Sequence, residues 1–90
     1  MNTYIISYDL KNPGQNYQNL VKEIHSYSAW ARLGGSTYVI TTNDNVVTVR
    51  NNLLKVLDDN DKLFVGVINA PAAWLGLGED VSDWLKNKLQ

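Results

Sequence analysis

The carboxylate best placed for chemistry is Asp9, near the end of the run Tyr4-Ile5-Ile6-Ser7-Tyr8-Asp9-Leu10. A short apolar run rich in β-branched and aromatic residues predicts a strand, and Lys11-Asn12-Pro13-Gly14 ends that strand in a loop. One carboxylate is thereby delivered to a strand end. Mg²⁺ is commonly held by one or two carboxylates with waters and substrate phosphates, so a single aspartate doubled across a dimer axis would suffice. Ser7 and Tyr8 would stand beside it as hydroxyl donors to a phosphate. The structural alternative is that Asp9 accepts backbone N–H groups around Asn12 to Gly14 and caps the loop, with Tyr8 packed and Ser7 a small interface residue.

The remaining candidates are weaker. His25 is the single histidine, which leaves no His pair for zinc and no paired general acid and base; on the polar side of a helix it reads as solvated. There is no cysteine, so neither disulfides nor thiolate metal sites can form. The serines have no nucleophile-elbow context. Asp58-Asp59-Asn60-Asp61 lacks the spacing and terminal Glu of a calcium loop and reads as a turn. Gly34-Gly35 joins two strands and is not followed by Lys-Ser or Lys-Thr, so it reads as a hairpin turn and not as a phosphate loop. Among the tryptophans, Trp84 lies on an apolar helical stripe and reads as structural. Trp30 shares a strand face with Arg32 and is the better candidate for stacking on a base or anchoring a partner.

These residues are positioned by an alternating series of elements. Tyr17, Leu20, Val21, Ile24 and Tyr27 recur at helical spacing opposite Gln18, Asn19, Lys22 and Glu23, with Asn16 as expected N-cap. Ala29–Leu33 and Ser36–Thr42 read as a hairpin, and Asn43-Asp44-Asn45 supplies caps for a second helix. Its stripe is Val46, Val49, Leu53 and either Val56 or Leu57. Lys62–Ile68 is the fourth strand, stopped by Asn69-Ala70-Pro71, and Val81, Trp84, Leu85 and Leu89 stripe a terminal helix. The order predicts an α+β fold, a ferredoxin-like βαββαβ sandwich with an added C-terminal helix. It is expected as a single domain over 1–90, with a core at about 3–69 and a Trp-rich tail at about 70–90.

The first and fourth strands are apolar on both faces, unlike strands of a sheet with one wet face. Tyr4, Ile6 and Tyr8 share one face of the first strand, and Ile5, Ser7 and Asp9 the other. The face away from the two central helices therefore needs its own cover, in part from the tail and in part from a second subunit.

Ninety residues bury only roughly 60 to 65 per cent of the unfolded surface, which leaves room for help from a partner. Three Trp, five Tyr and a 44% apolar content argue against disorder. No apolar run approaches the roughly 18 to 20 residues of a membrane span, and no basic and apolar leader opens the chain, so a cytoplasmic protein without membrane contact is expected. The net charge of −1, with scattered Lys and Arg, argues against high-affinity DNA binding, which rests on clustered phosphate contacts.

A first strand ending Tyr8-Asp9-Leu10, a loop and helix, then Tyr27 and a hairpin whose second strand begins Ser36-Thr37-Tyr38-Val39 resembles the small CRISPR-associated endoribonuclease and spacer-integration family. The likeness covers about the first two-thirds of the chain. The related virulence-associated protein D toxins share its ferredoxin-like core. The resemblance implies a homodimer in which the aspartate at the first strand's end, here Asp9, lies near the dimer cleft and holds a divalent metal. The chain departs from the family in its Lys11–Asn16 loop, which lacks the family's run of charged residues, and in Trp30 and the Trp-rich tail.

Two readings follow. In the first, a homodimer hydrolyses RNA or DNA phosphodiesters, with Asp9 as catalytic Mg²⁺ or Mn²⁺ ligand and Lys11, Arg32 and Trp30 at the phosphate or the nucleic acid. In the second, a non-catalytic module of the same fold engages a protein partner through its sheet edge or tail.

Overall fold

A computed structural model describes residues 1–11 and 13–89, with the backbone alone for 13–16. The elements are β1 (Asn2–Asp9), α1 (Pro13–His25), β2 (Ala29–Gly34), β3 (Thr37–Thr42), α2 (Val46–Leu54), β4 (Lys62–Val67) and α3 (Glu79–Lys88). The four strands form one antiparallel sheet in the order β2-β3-β1-β4, so the α+β class read from the sequence is observed. β1 is central, pairing β3 from Asn2↔Thr42 to Ser7↔Thr37 and β4 from Tyr4↔Val67 to Asp9↔Lys62. Because β1 and β2 both run opposite to β3, they are parallel to one another. Such a step requires a crossover, and α1 supplies it; α2 does the same between β3 and β4.

The strand periodicity decides the core. Tyr4, Ile6 and Tyr8 of β1 and Tyr38 and Ile40 of β3 bury against Leu20 and Ile24 of α1 and Val49 and Leu53 of α2. Each helix contributes an i, i+4 pair, which lies on one face. Asn45 caps α2 by accepting the Thr48 N–H at 2.8 Å on its side-chain oxygen.

Several boundaries differ from expectation; β1, for example, is Asn2–Asp9 where the sequence predicts Tyr4–Leu10. α1 begins at Pro13, where the fixed φ suits a first helical turn and the missing N–H is not needed; the Pro13-Gly14 turn is thus the helix start. The expected N-cap Asn16 falls inside the helix, and its side chain is outside the described residues. α2 ends at Leu54, leaving Val56 and Leu57 beyond it, though both still pack on the core. The hairpin turn is Gly35-Ser36, one residue later than expected, because a bulge after Arg32 carries Gly34 into the strand. Gly34 and Gly35 have φ of 150° and 44°, angles that glycine adopts without penalty from a Cβ.

The opposite sheet face carries Thr3, Ile5, Ser7 and Asp9 of β1, Ala29 and Ala31 of β2, Val39 and Thr41 of β3, and Phe64 and Gly66 of β4. The chain after β4 covers half of it, as the two-sided apolar strands require. Val39 is fully buried and Ala31 and Thr41 nearly so, while Leu85 is the buried residue of α3. Thr3 Oγ1 donates to the Lys88 carbonyl at 3.4 Å, and Trp74 Nε1 donates to Ser82 Oγ at 3.0 Å. The other half stays open. Ser7 is exposed, and Phe64 lies 64% exposed with its ring over Gly66, where a Cβ would meet Phe64 Cε1 at 2.8 Å.

Candidate functional site

Asp9 is the last residue of β1, exposed, on the face opposite α1 and α2 and directly across from Lys62. A cleft of about 400 Å³ opens there, lined by Asp9, Leu10, Lys11, Asn60 and Lys62. A shallower hollow of about 210 Å³ continues along Ser7, Lys62 and Phe64 toward the open half of the sheet face. The Asp9 carboxylate forms no hydrogen bond or ion pair with any described residue.

Another aspartate, Asp61, closes the neighbouring turn. Asp61 accepts the Lys11 N–H on Oδ1 and the Asp58 N–H on Oδ2, both at 2.8 Å, and its own N–H donates to the Asp58 carbonyl at 3.0 Å. This ties the 58–61 turn to the segment after β1 and fits the turn reading of Asp58-Asp59-Asn60-Asp61. The alternative role of Asp9, accepting backbone N–H groups around Asn12 to Gly14, turns on Asn12, which lies outside the described residues. Among the described residues no three His, Asp or Glu side chains gather in a way that could hold a metal ion. Among the described residues that line the cleft Asp9 is the one carboxylate, beside two lysines, and a metal bound there would draw further oxygens from a second copy, from water or from a phosphate.

The sequence candidates separate into two groups. Lys11 shares the Asp9 cleft. Arg32 and Trp30 do not: they pair with Tyr38 and Ile40, on the helix-bearing face, and β3 lies between their strand and β1. The Arg32 guanidinium donates from Nε and Nη2 to the Gly35 carbonyl at 3.3 and 3.1 Å, bracing the hairpin turn. Trp30 is 39% exposed and stacks on His25, with ring centroids 3.7 Å apart and planes 11° apart. His25 is therefore a stacking partner, not merely a solvated side chain. Trp84 is half-buried, with Lys88 Nζ 5.9 Å from its ring centroid.

One feature escaped sequence reading. Tyr8 is buried as expected, and its hydroxyl, in ideal hydrogen-bond geometry with no described residue, has the Tyr17 side chain close enough to interact with it. Burial, then the neighbouring Tyr17 and Tyr38 phenols and the hydrogen bonding of the Tyr17 side chain, lift the Tyr8 phenol well above its ordinary pKa, while Arg32 pulls the other way. Burial raises Tyr38 and Tyr27 as well, with the Asn52 amide, bonded to the Tyr27 hydroxyl at 3.0 Å, opposing the shift at Tyr27. The alternation Tyr4, Ile6, Tyr8 announces a buried ring, but the partner of its hydroxyl depends on three other strands and helices.

No protein-family model matches the chain, and no curated protein sequence matches it. No helix among the described residues is long and apolar enough to cross a membrane.

Proposed function

We propose that this chain is a ferredoxin-like domain that works as a homodimer on nucleic-acid phosphodiesters, in the manner of the CRISPR-associated endoribonuclease family its first two-thirds resembles. The β1-α1-β2-β3-α2-β4 order and the β2-β3-β1-β4 sheet support the fold assignment. The observation that carries the function is the exposed Asp9 carboxylate at the end of the central strand, bonded to no described residue and in one cleft with Lys11 and Lys62. Two copies meeting over the open half of the sheet face would bring two such carboxylates together, a hard oxygen set that suits Mg²⁺ or Mn²⁺ with water and phosphate completing the shell. Such an ion supplies Lewis-acid stabilisation of the phosphoryl oxygens and a water of lowered pKa. The chain's own part is to hold the carboxylates, and to set the Lys11 and Lys62 ammonium groups against the phosphate charge.

The test is cleavage of labelled single-stranded RNA and of single- and double-stranded DNA with Mg²⁺ or Mn²⁺, beside chelator and Asp9→Ala controls. Chelator-sensitive cleavage lost in a folded Asp9→Ala protein is expected. Absence of cleavage, or cleavage that survives the substitution, overturns the nuclease reading.

A second reading has its own support. β4 is an edge strand, and Phe64 and Val67 on it are each 64% exposed. An unpaired edge with apolar side chains suits strand addition by a protein partner. No cleavage, together with a soluble partner whose binding is lost in Phe64→Lys, would establish this non-catalytic module.

A further inference from the structure

Leu75 is 97% exposed, more than any other large apolar side chain among the described residues. A leucine in water forgoes the gain of burial, and this one is held there by its neighbours. On one side Trp74 is half-buried and fastened through Nε1 to Ser82 Oγ of α3 at 3.0 Å; on the other, Gly76 turns the chain with a φ of 83°, and Leu77 is half-buried again. Trp74 and Leu77 both line a hollow of about 460 Å³ between the tail and the sheet, and Leu75 between them does not.

That hollow is the matching half. Its walls include Ile5 of β1, Leu33 of β2 and Leu85 of α3, and no charged residue lines it, the character of the buried centre of a protein interface. Along the same face of β1, the step from Ile5 to Ser7 leads to the open half of the sheet, where Ser7 and Phe64 border the shallower hollow. Phe64, and Val67 at the rim of the larger hollow, are each 64% exposed. An apolar knob and an apolar hollow thus lie side by side on one surface, continuous with the uncovered part of the sheet. Such a surface is self-complementary: under a two-fold axis the knob of each copy meets the hollow of the other. The uncharged walls select this occupant over a phosphate-bearing one.

We propose that two copies of this chain associate by reciprocal insertion of Leu75, each into the partner's hollow between α3 and the sheet. The contact rests on, and deepens, the homodimer half of the proposed function. It uses no residue of the Asp9 cleft, so cleavage can fail while association stands.

The experiment is analytical ultracentrifugation of the full chain over a range of concentrations, with circular dichroism to check folding, for the wild type, Leu75→Glu, Ala73→Phe and Val47→Glu. Ala73 is exposed and lines the hollow, so a phenyl ring there fills it; Val47 is an exposed apolar residue of α2, on the other face of the sheet. A reversible wild-type dimer is expected, weakened about a hundredfold or more in Leu75→Glu and in Ala73→Phe, since each substitution spoils both contacts of the dimer, and unchanged in Val47→Glu. An equimolar mixture of Leu75→Glu and Ala73→Phe should associate more tightly than either alone, because the mixed pair keeps one intact contact, the native Leu75 of one chain in the native hollow of the other. A dimer that survives Leu75→Glu overturns this contact and leaves the homodimer reading in place; a wild type that is monomeric throughout overturns both. A mixture no tighter than its components, or a loss in Val47→Glu equal to that in Leu75→Glu, overturns the insertion of Leu75 into the hollow.

Discussion

Asp9 and Lys62 face each other across β1 and β4, both exposed, and neither side chain bonds any described residue. Opposite charges in cross-strand register contribute modestly even when they meet, and exposed pairs less still. Asp9→Asn and Lys62→Gln should therefore each change unfolding free energy by less than about 1 kcal/mol, read from urea midpoints. A larger loss in Asp9→Asn would make the carboxylate part of the framework, and would remove it as a free ligand at the cleft.

Leu85, and not Trp84, anchors the tail. Leu85 is 2% exposed, whereas Trp84 is half-buried and has Lys88 Nζ near its ring. Leu85→Ala should cost about 2 to 5 kcal/mol, the range for a buried leucine. Trp84→Ala should cost under about 2 kcal/mol, because only part of the ring leaves water on folding. Paired denaturation curves test the order, and a larger effect at Trp84 would contradict the covering of the sheet by α3 described above.

Alkaline stability should report the buried phenols. Tyr8, Tyr27 and Tyr38 all have folded-state pKa values raised above the ordinary 10.0. The native state then holds these protons longer than the unfolded state does, so stability is fully present below about pH 10 and falls as pH rises through the raised values. Urea midpoints measured from neutrality upward should be insensitive to these groups until that point and then drop. The drop should be shallower in Tyr8→Phe. An equally steep decline in that variant would assign the loss to other groups.

Much of this arrangement was legible in the residues. The period-two alternation of Tyr4, Ile6 and Tyr8 against Ile5, Ser7 and Asp9 placed each side chain on its observed face. That both faces of β1 and β4 are apolar forecast a second cover, which the Trp74 to Leu89 segment in part provides. Less legible were element ends. α1 begins at Pro13 and the hairpin turn is Gly35-Ser36, because a first helical turn and a bulge each depend on a few backbone angles that no side-chain period encodes.

The sequence by itself determined the order of elements, the core stripes and the delivery of Asp9 to a strand end, since these follow from local periodicity and turn chemistry. Only the tertiary structure decided which groups share a site. It put Lys11 and Lys62 beside Asp9, moved Arg32 and Trp30 to the opposite face, tied the 58–61 turn to Lys11 through Asp61, and buried the Tyr8 hydroxyl beside Tyr17. Each of those depends on strand order and register, where residues far apart in the chain meet or miss one another, and no local pattern in the chain carries that information.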